Sequence, residues 1–176
     1  IVDNLIKRDF NTNKPNQKWY TDVTEFNLRG EKCYLSPILD GYNGEIISYN
    51  ISKSPNLEQI NDMLNKAFDK NNNLDGLIFH SDQGWQYQHR SYQQRLKNNG
   101  IKQSMSRKGN SIDNGMMENF FGILKTEMFY DQEDNYKTLD DLIKAIDDYI
   151  NYYNHDRIKV KLKGLSPVNY RLQSSN

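Results

Sequence analysis

Asp22, Asp82 and Glu118 are the residues of this 176-residue chain whose types and spacing could do chemistry. Asp22 sits inside Trp19-Tyr20-Thr21-Asp22-Val23-Thr24, Asp82 follows the apolar run Leu77-Ile78-Phe79, and Glu118 opens an amphipathic stretch with 35 residues between it and Asp82. Three carboxylates converging from separate elements repel one another unless a cation neutralises them, and hard divalent cations prefer oxygen ligands. The cofactor this predicts is Mg2+ or Mn2+, two ions in the active complex. Two such ions roughly 4 Å apart can hold the attacking and leaving oxygens of an in-line phosphodiester displacement. The expected chemistry is that of a nuclease or transesterase. With 23 acidic residues present, a widely spaced Asp, Asp, Glu triple also arises by chance, so the surrounding sequence must carry the assignment.

The elements that would position these groups must fit one domain, since 176 residues suffice for a single real core. A hydrophobic content of 36% with 26% charged residues describes a soluble globular chain. No segment approaches the roughly 20 apolar residues of a membrane span, and no signal peptide is visible, so the default compartment is cytoplasmic. Cys33 is the single cysteine, which excludes a disulfide framework and a thiolate zinc site and suggests a buried, inert thiol. The chain starts at Ile1 without a methionine, which suggests an excised or processed piece with something missing upstream.

Net charge is zero, which weighs mildly against nucleic acid, but the charge is unevenly spread. Seven acids lie between Asp131 and Asp148, whereas Arg157, Lys159, Lys161, Lys163 and Arg171 follow with no acid among them. Lys102, Arg107 and Lys108 form a second basic cluster between the last two carboxylates. Either cluster could track a phosphate backbone or simply be a solvated face.

Residues 1–18 are polar, broken by Asn11, Asn13, Pro15 and Asn16, and read as a linker or arm. Residues 19–155 read as the catalytic core, and 156–176 as a basic C-terminal extension packed on or near it. Trp19 to Phe26, Glu31 to Ile38 and Glu45 to Ile51 are β-rich, the first two joined by the hairpin signal Asn27-Leu28-Arg29-Gly30. Leu57, Ile60, Met63, Leu64 and Phe68 then recur at helical spacing. Leu77 to Ser81 predicts a short buried strand, Tyr92 to Lys97 part of a helix, and Ile101 to Met105 a last strand. This order predicts an α/β, ribonuclease-H-like fold: a mixed five-stranded sheet flanked by helices. Asp22 would sit mid-strand, Asp82 at the end of the neighbouring strand, and Glu118 on a helix crossing the sheet edge.

In that helix Met117, Phe120, Phe121, Leu124 and Met128 form a buried stripe, with Glu118 at its margin. Lys125, seven residues on, lies about 20° from Glu118 around the axis and roughly 10 Å along it, so one face can carry a metal ligand and a phosphate anchor. Leu139 to Tyr153 predicts another helix, capped by Thr138 and Asp141, whose apolar face is core or subunit interface. Ser166-Pro167 predicts the start of a short final helix. Arg157, Lys159, Lys161 and Lys163 alternate along what reads as an extended segment able to grip DNA or a partner.

Together, Asn4-Leu5-Ile6-Lys7-Arg8-Asp9-Phe10, Trp19, Thr21-Asp22, Phe79-His80-Ser81-Asp82-Gln83-Gly84, Ser104 through Asn110, Asp113-Asn114, Glu118-Asn119-Phe120-Phe121-Gly122, Leu124-Lys125, Tyr152-Tyr153-Asn154, Arg157 and Ser166-Pro167 resemble the integrase-type transposases of bacterial insertion sequences. The nearest group in pattern is the insertion sequence three family, whose second reading frame carries this core. More widely, the chain resembles the retroviral-integrase-like superfamily with its Asp-Asp-Glu motif.

The resemblance implies DNA integration: metal-dependent strand cleavage followed by strand transfer from a freed 3′ hydroxyl. It gives Asp22, Asp82 and Glu118 the metal-ligand role and implies DNA contact for Lys125. Arg107, Lys108 and Asn110 would lie on a loop able to close over DNA. His80 is expected either to touch substrate or orient a carboxylate, or to be a packed structural histidine. Asn114 is expected to bind the chain's own backbone. The implied partners are DNA, as element ends and target, and further copies of the chain in a homo-oligomer, with a helix-turn-helix region missing upstream. A nuclease that only hydrolyses and a degenerate DNA-binding module are the alternatives.

Overall fold

A hairpin begins the sheet. The computed structural model describes residues 2–107 and 114–174. Strands β1 (Lys18–Thr21) and β2 (Thr24–Leu28) lead into a turn in which Arg29 (φ 50°) and Gly30 (φ 93°) are both left-handed, as a two-residue hairpin loop requires. The Gly30 amide donates to Asn27 Oδ1. Strand β3 (Glu31–Asp40) returns antiparallel.

The sheet has six strands where five were expected, because the first breaks in two at Asp22-Val23. Thr21 stands opposite Ile38 and Thr24 opposite Leu35, so no residue is inserted and both pieces run along one edge of β3. Carried through the gap, this register sets Asp22 opposite Pro37, which has no amide proton to give a ladder. The Thr21 hydroxyl donates to the Pro37 carbonyl (2.8 Å). Asp22 therefore occupies a break in the ladder and not a regularly paired mid-strand position.

Strand β4 (Ile46–Ser52) pairs antiparallel with the other edge of β3. On the far side of β1 lies β5 (Ile78–Ser81), parallel to it, and then β6 (Lys102–Met105), parallel to β5. The result is the expected mixed sheet.

Successive residues of β1 point to opposite faces, so Trp19 and Tyr20, both without exposed surface, enter different cores. Trp19, Ile38 and Phe79 pack with α1 (Leu57–Lys70) and α3 (Arg90–Asn98). The cap of α1 is Asn56, whose side chain accepts from the Gln59 amide. Tyr20, Leu35 and Leu39 pack with α4 (Gly115–Met128) and α5 (Leu139–His155). Each such buried large side chain contributes roughly 1.5–3 kcal/mol, which is what holds the sheet between its two helical layers. The Thr138–Asp141 capping box of α5 is present. A four-residue helix, α2 (Trp85–Gln88), follows β5, and α6 (Pro167–Ser174) ends the described chain.

Residues 2–17 form no regular element but are tied down: Ile6 is buried, the Met105 amide donates to Asp3 O (3.1 Å), and the Leu5 amide donates to Ser104 Oγ (2.8 Å). At the other end Asn43 donates to Pro167 O, and Arg171 pairs with Asp40 and Glu45. The segment after α5 is not extended. It turns through a 3-10 helix, Val160–Leu162, and a left-handed Lys163 (φ 59°). The alternating-lysine reading missed this because Lys159 backbone bonds close the turn onto Leu165.

Candidate active site

Register decides where the two aspartates go. Trp19 is level with Phe79 and Tyr20 with His80 across the parallel β1–β5 pair. Asp22 and Asp82 each come two residues after that last level pair, at the same end of neighbouring strands, which lie about 4.8 Å apart in a sheet. Tyr20 and His80 stack edge to face at 6.1 Å, and Tyr20 faces the layer of α4 and α5. Glu118 lies in the first turn of α4, so its helix and the aspartates share that side. Asn114 binds the backbone as expected: its amide donates to Thr21 O (3.3 Å), fastening the start of α4 to the residue before Asp22.

Electrostatics link the three acids. Burial first, then the charge of Asp82 and, more weakly, that of Glu118 push the Asp22 carboxyl up to about 7, against the opposing hydrogen bond from the Val23 amide (2.8 Å). No cationic side chain offsets this among the described residues. Asp82 and Glu118 are exposed, and Asp82 Oδ1 accepts from the Gly84 amide (2.8 Å). The three do not form a closed cage: among the described residues, no three His, Cys, Asp or Glu side chains converge enough to enclose a metal ion. Like charges hold such groups apart, and an oxygen-only donor set around a half-buried, doubly opposed carboxylate suits a hard divalent cation.

The expected DNA contacts fare differently. Lys125 Nζ donates to Glu25 O (2.7 Å) and lies 4.8 Å from the Phe26 ring centre, and burial lowers its pKa. It is half-buried against β2, with its charge at the surface of the same helix as Glu118. Arg107 is exposed just after β6, whereas Lys108 and Asn110 lie outside the described residues, as does Asp113. His80 has no exposed surface, and its ring nitrogens meet Ser104 Oγ at 2.7 Å and Ser106 Oγ at 3.0 Å. That geometry is the packed alternative. A DNA contact by His80 is corrected, because β5 and β6 would have to part to expose it.

Much of the C-terminal basic run is also consumed internally. Arg157 pairs with Glu127 (2.6 Å), which also accepts from Tyr149, and Lys159 donates to the Tyr153 hydroxyl (2.6 Å) over its ring. Lys161 and Lys163 remain exposed.

Sequence reasoning passed over one feature beside the acids. Trp85, first residue of α2, is 58% exposed and shares a groove of about 230 Å³ with Val23, Pro55 and Asn56. An aromatic residue in the polar stretch after Asp82 was the signal available. Its exposure was not, because α2 is too short to show periodicity.

The pattern of the family described as "Integrase core domain" matches residues 12–111, and a second pattern of the same description matches residues 118–174. The chain belongs to the integrase core domain family. An uncharacterized transposase-like protein of Haemophilus influenzae is 56% identical over 178 residues, covering 100% of this chain and 80% of that protein. The transposase for insertion sequence element IS904 of Lactococcus lactis is 34% identical, covering 98% and 68%. Transposase InsF for insertion sequence IS3fB of Escherichia coli is 30% identical, covering 99% and 60%. The share of such relatives that this integrase core spans falls as low as 33%.

Among solved structures, the HTLV-2 integrase catalytic core domain in complex with magnesium, in a trimeric form, aligns with TM-score 0.73 at 19% identity, covering 92% of this chain and 99% of that one. The catalytic core domain of BIV integrase aligns with TM-score 0.69 at 18% identity, covering 91% and 96%. At these identities the likeness is one of fold, the ribonuclease-H-like arrangement. Among the described residues, no helix is long and apolar enough to cross a membrane.

Proposed function

We propose that this integrase core is the catalytic domain of an insertion-sequence transposase, which cuts DNA at element ends and joins a freed 3′ end to target DNA. The observation that carries this reading is the half-buried Asp22 carboxylate, opposed by the charges of Asp82 and Glu118 with no cationic side chain to offset them. Asp22, Asp82 and Glu118 hold the divalent ions, Mg2+ or Mn2+, two in the active complex. When bound, the ions lower the pKa of the attacking hydroxyl and screen charge building at phosphorus. The chain's own part is positional. The break opposite Pro37 lets the Asp22 carboxylate leave the sheet, the Gly84 amide fixes one oxygen of Asp82, and Asn114 locks the Glu118 helix to β1. Lys125, Arg107, Lys108 and Asn110 contact DNA along the side of α4 and the segment before it.

Names of relatives support DNA transposition as the setting, and the dimeric and trimeric forms of the HTLV-2 core support a homo-oligomer as the active state. DNA end recognition belongs to a helix-turn-helix region upstream, and the working compartment is the bacterial cytoplasm. The test is a cleavage and joining assay on duplex DNA with a cut element end. Asp22→Asn, Asp82→Asn and Glu118→Gln should each abolish Mg2+-dependent cleavage and joining while circular dichroism stays unchanged. Cleavage without any joining would make the protein a hydrolytic nuclease instead.

A further inference from the structure

A soluble protein seldom leaves an indole 58% exposed without a use, and Trp85 stands beside the carboxylates. It follows Gly84, whose amide holds Asp82, and the groove it lines includes Val23, whose amide holds Asp22. The groove is thus continuous with the candidate active site. Its only charged lining residue among those described is Glu25, itself 3.5 Å from Lys32. An acid at the rim repels phosphate, so the occupant this surface suits is flat, neutral and aromatic, with polar edges for Asn56 and Gln86.

We propose that Trp85 and this groove form a nucleobase subsite, in which an unpaired base of the DNA strand next to the reacting phosphate stacks on the indole. The inference rests on the reading of the chain as a DNA-cutting and joining core. Every base has a π face, so stacking on Trp85 tolerates any sequence and selects for strand opening at the reaction point. Phosphate contacts by Lys125 and Arg107 fix the backbone, while Trp85 senses whether a base is free to leave the helix.

The chain has two tryptophans, and Trp19 is fully buried, so quenching of the exposed component of the emission reports Trp85 alone. The full chain is titrated, with EDTA present, with a short single-stranded oligonucleotide and with an abasic strand of equal length and charge. The base-bearing strand should quench Trp85 and bind about five- to hundredfold more tightly than the abasic one, the range expected for one stacked base. Trp85→Ala should erase that preference, and Trp85→Phe should keep most of it. Equal affinity of the two strands, or undiminished binding of the base-bearing strand by Trp85→Ala, overturns the subsite. The two readings fail separately. Base preference in a protein that never cleaves or joins DNA with Mg2+ sinks the transposase reading alone, whereas cleavage and joining without base preference sink the subsite alone.

Discussion

The side-chain amide of Asn114 donates to the Thr21 carbonyl across 3.3 Å, joining the first turn of the helix that carries Glu118 to the strand that delivers Asp22. Asn114 is 3% exposed, so the bond is shielded from water. Two acids distant in sequence are thereby held in one frame.

Removing this bond should loosen that frame. Asn114→Ala leaves a buried carbonyl unpaired and is expected to cost about 1–3 kcal/mol of stability. Mg2+ affinity should fall as well, because the ligands are no longer held to one another. Urea unfolding and isothermal calorimetry read the two effects. A stability loss with unchanged Mg2+ affinity would confine Asn114 to the core.

Asp22 should make the metal-free protein lose stability as pH rises. Its carboxyl titrates at about 7 when folded and at 3.8 when unfolded, so between those values the folded state holds the extra proton. Stability then falls across that window and levels off above it. Asp22→Asn, which cannot ionise, should flatten this part of the profile, and Mg2+ should raise the melting temperature more at pH 8 than at pH 5. Thermal melts of both proteins with and without Mg2+ decide it. Parallel profiles for wild type and Asp22→Asn would remove the electrostatic opposition at Asp22.

Lys125 offers a test of the DNA path. It is anchored to Glu25 O and the Phe26 ring, so Lys125→Ala should lose roughly 1 kcal/mol of stability as well as DNA affinity. If it neutralises a phosphate, the slope of log affinity against log salt should become shallower by about one. An unchanged slope returns Lys125 to a structural role.

Arg171 should matter far from the chemistry. It pairs with Asp40, which has no exposed surface and whose pKa is raised, chiefly by burial. Arg171→Ala strips a buried carboxylate of its partner and should destabilise by on the order of 3 kcal/mol, the low end for such a loss because Arg171 is partly exposed. Recovery of stability in Arg171→Ala combined with Asp40→Asn, by chemical denaturation, would identify the charge as the cause.

Local chemistry explains what was legible in the sequence. The Arg29-Gly30 turn, the Thr138–Asp141 box and the first-turn proline after Ser166 depend on neighbours within a few residues, and all formed where expected. What escaped depended on distant partners. The break at Asp22 comes from Pro37 across the ladder, and the basic run loses Arg157 to a glutamate 30 residues earlier. His80 gives both ring nitrogens to serines more than 20 residues away, a pairing no local pattern reveals. The shared end of β1 and β5 was legible because the order of elements made those strands neighbours.

The central claim is that Asp22, Asp82 and Glu118 gather around divalent ions, and a crystal soaked in Mn2+ tests it most directly. Anomalous density bridging the three carboxylates, lost in Asp22→Asn, is the expected result. Density absent from that end of β1 and β5, with the three side chains still apart at saturating Mn2+, would contradict the account.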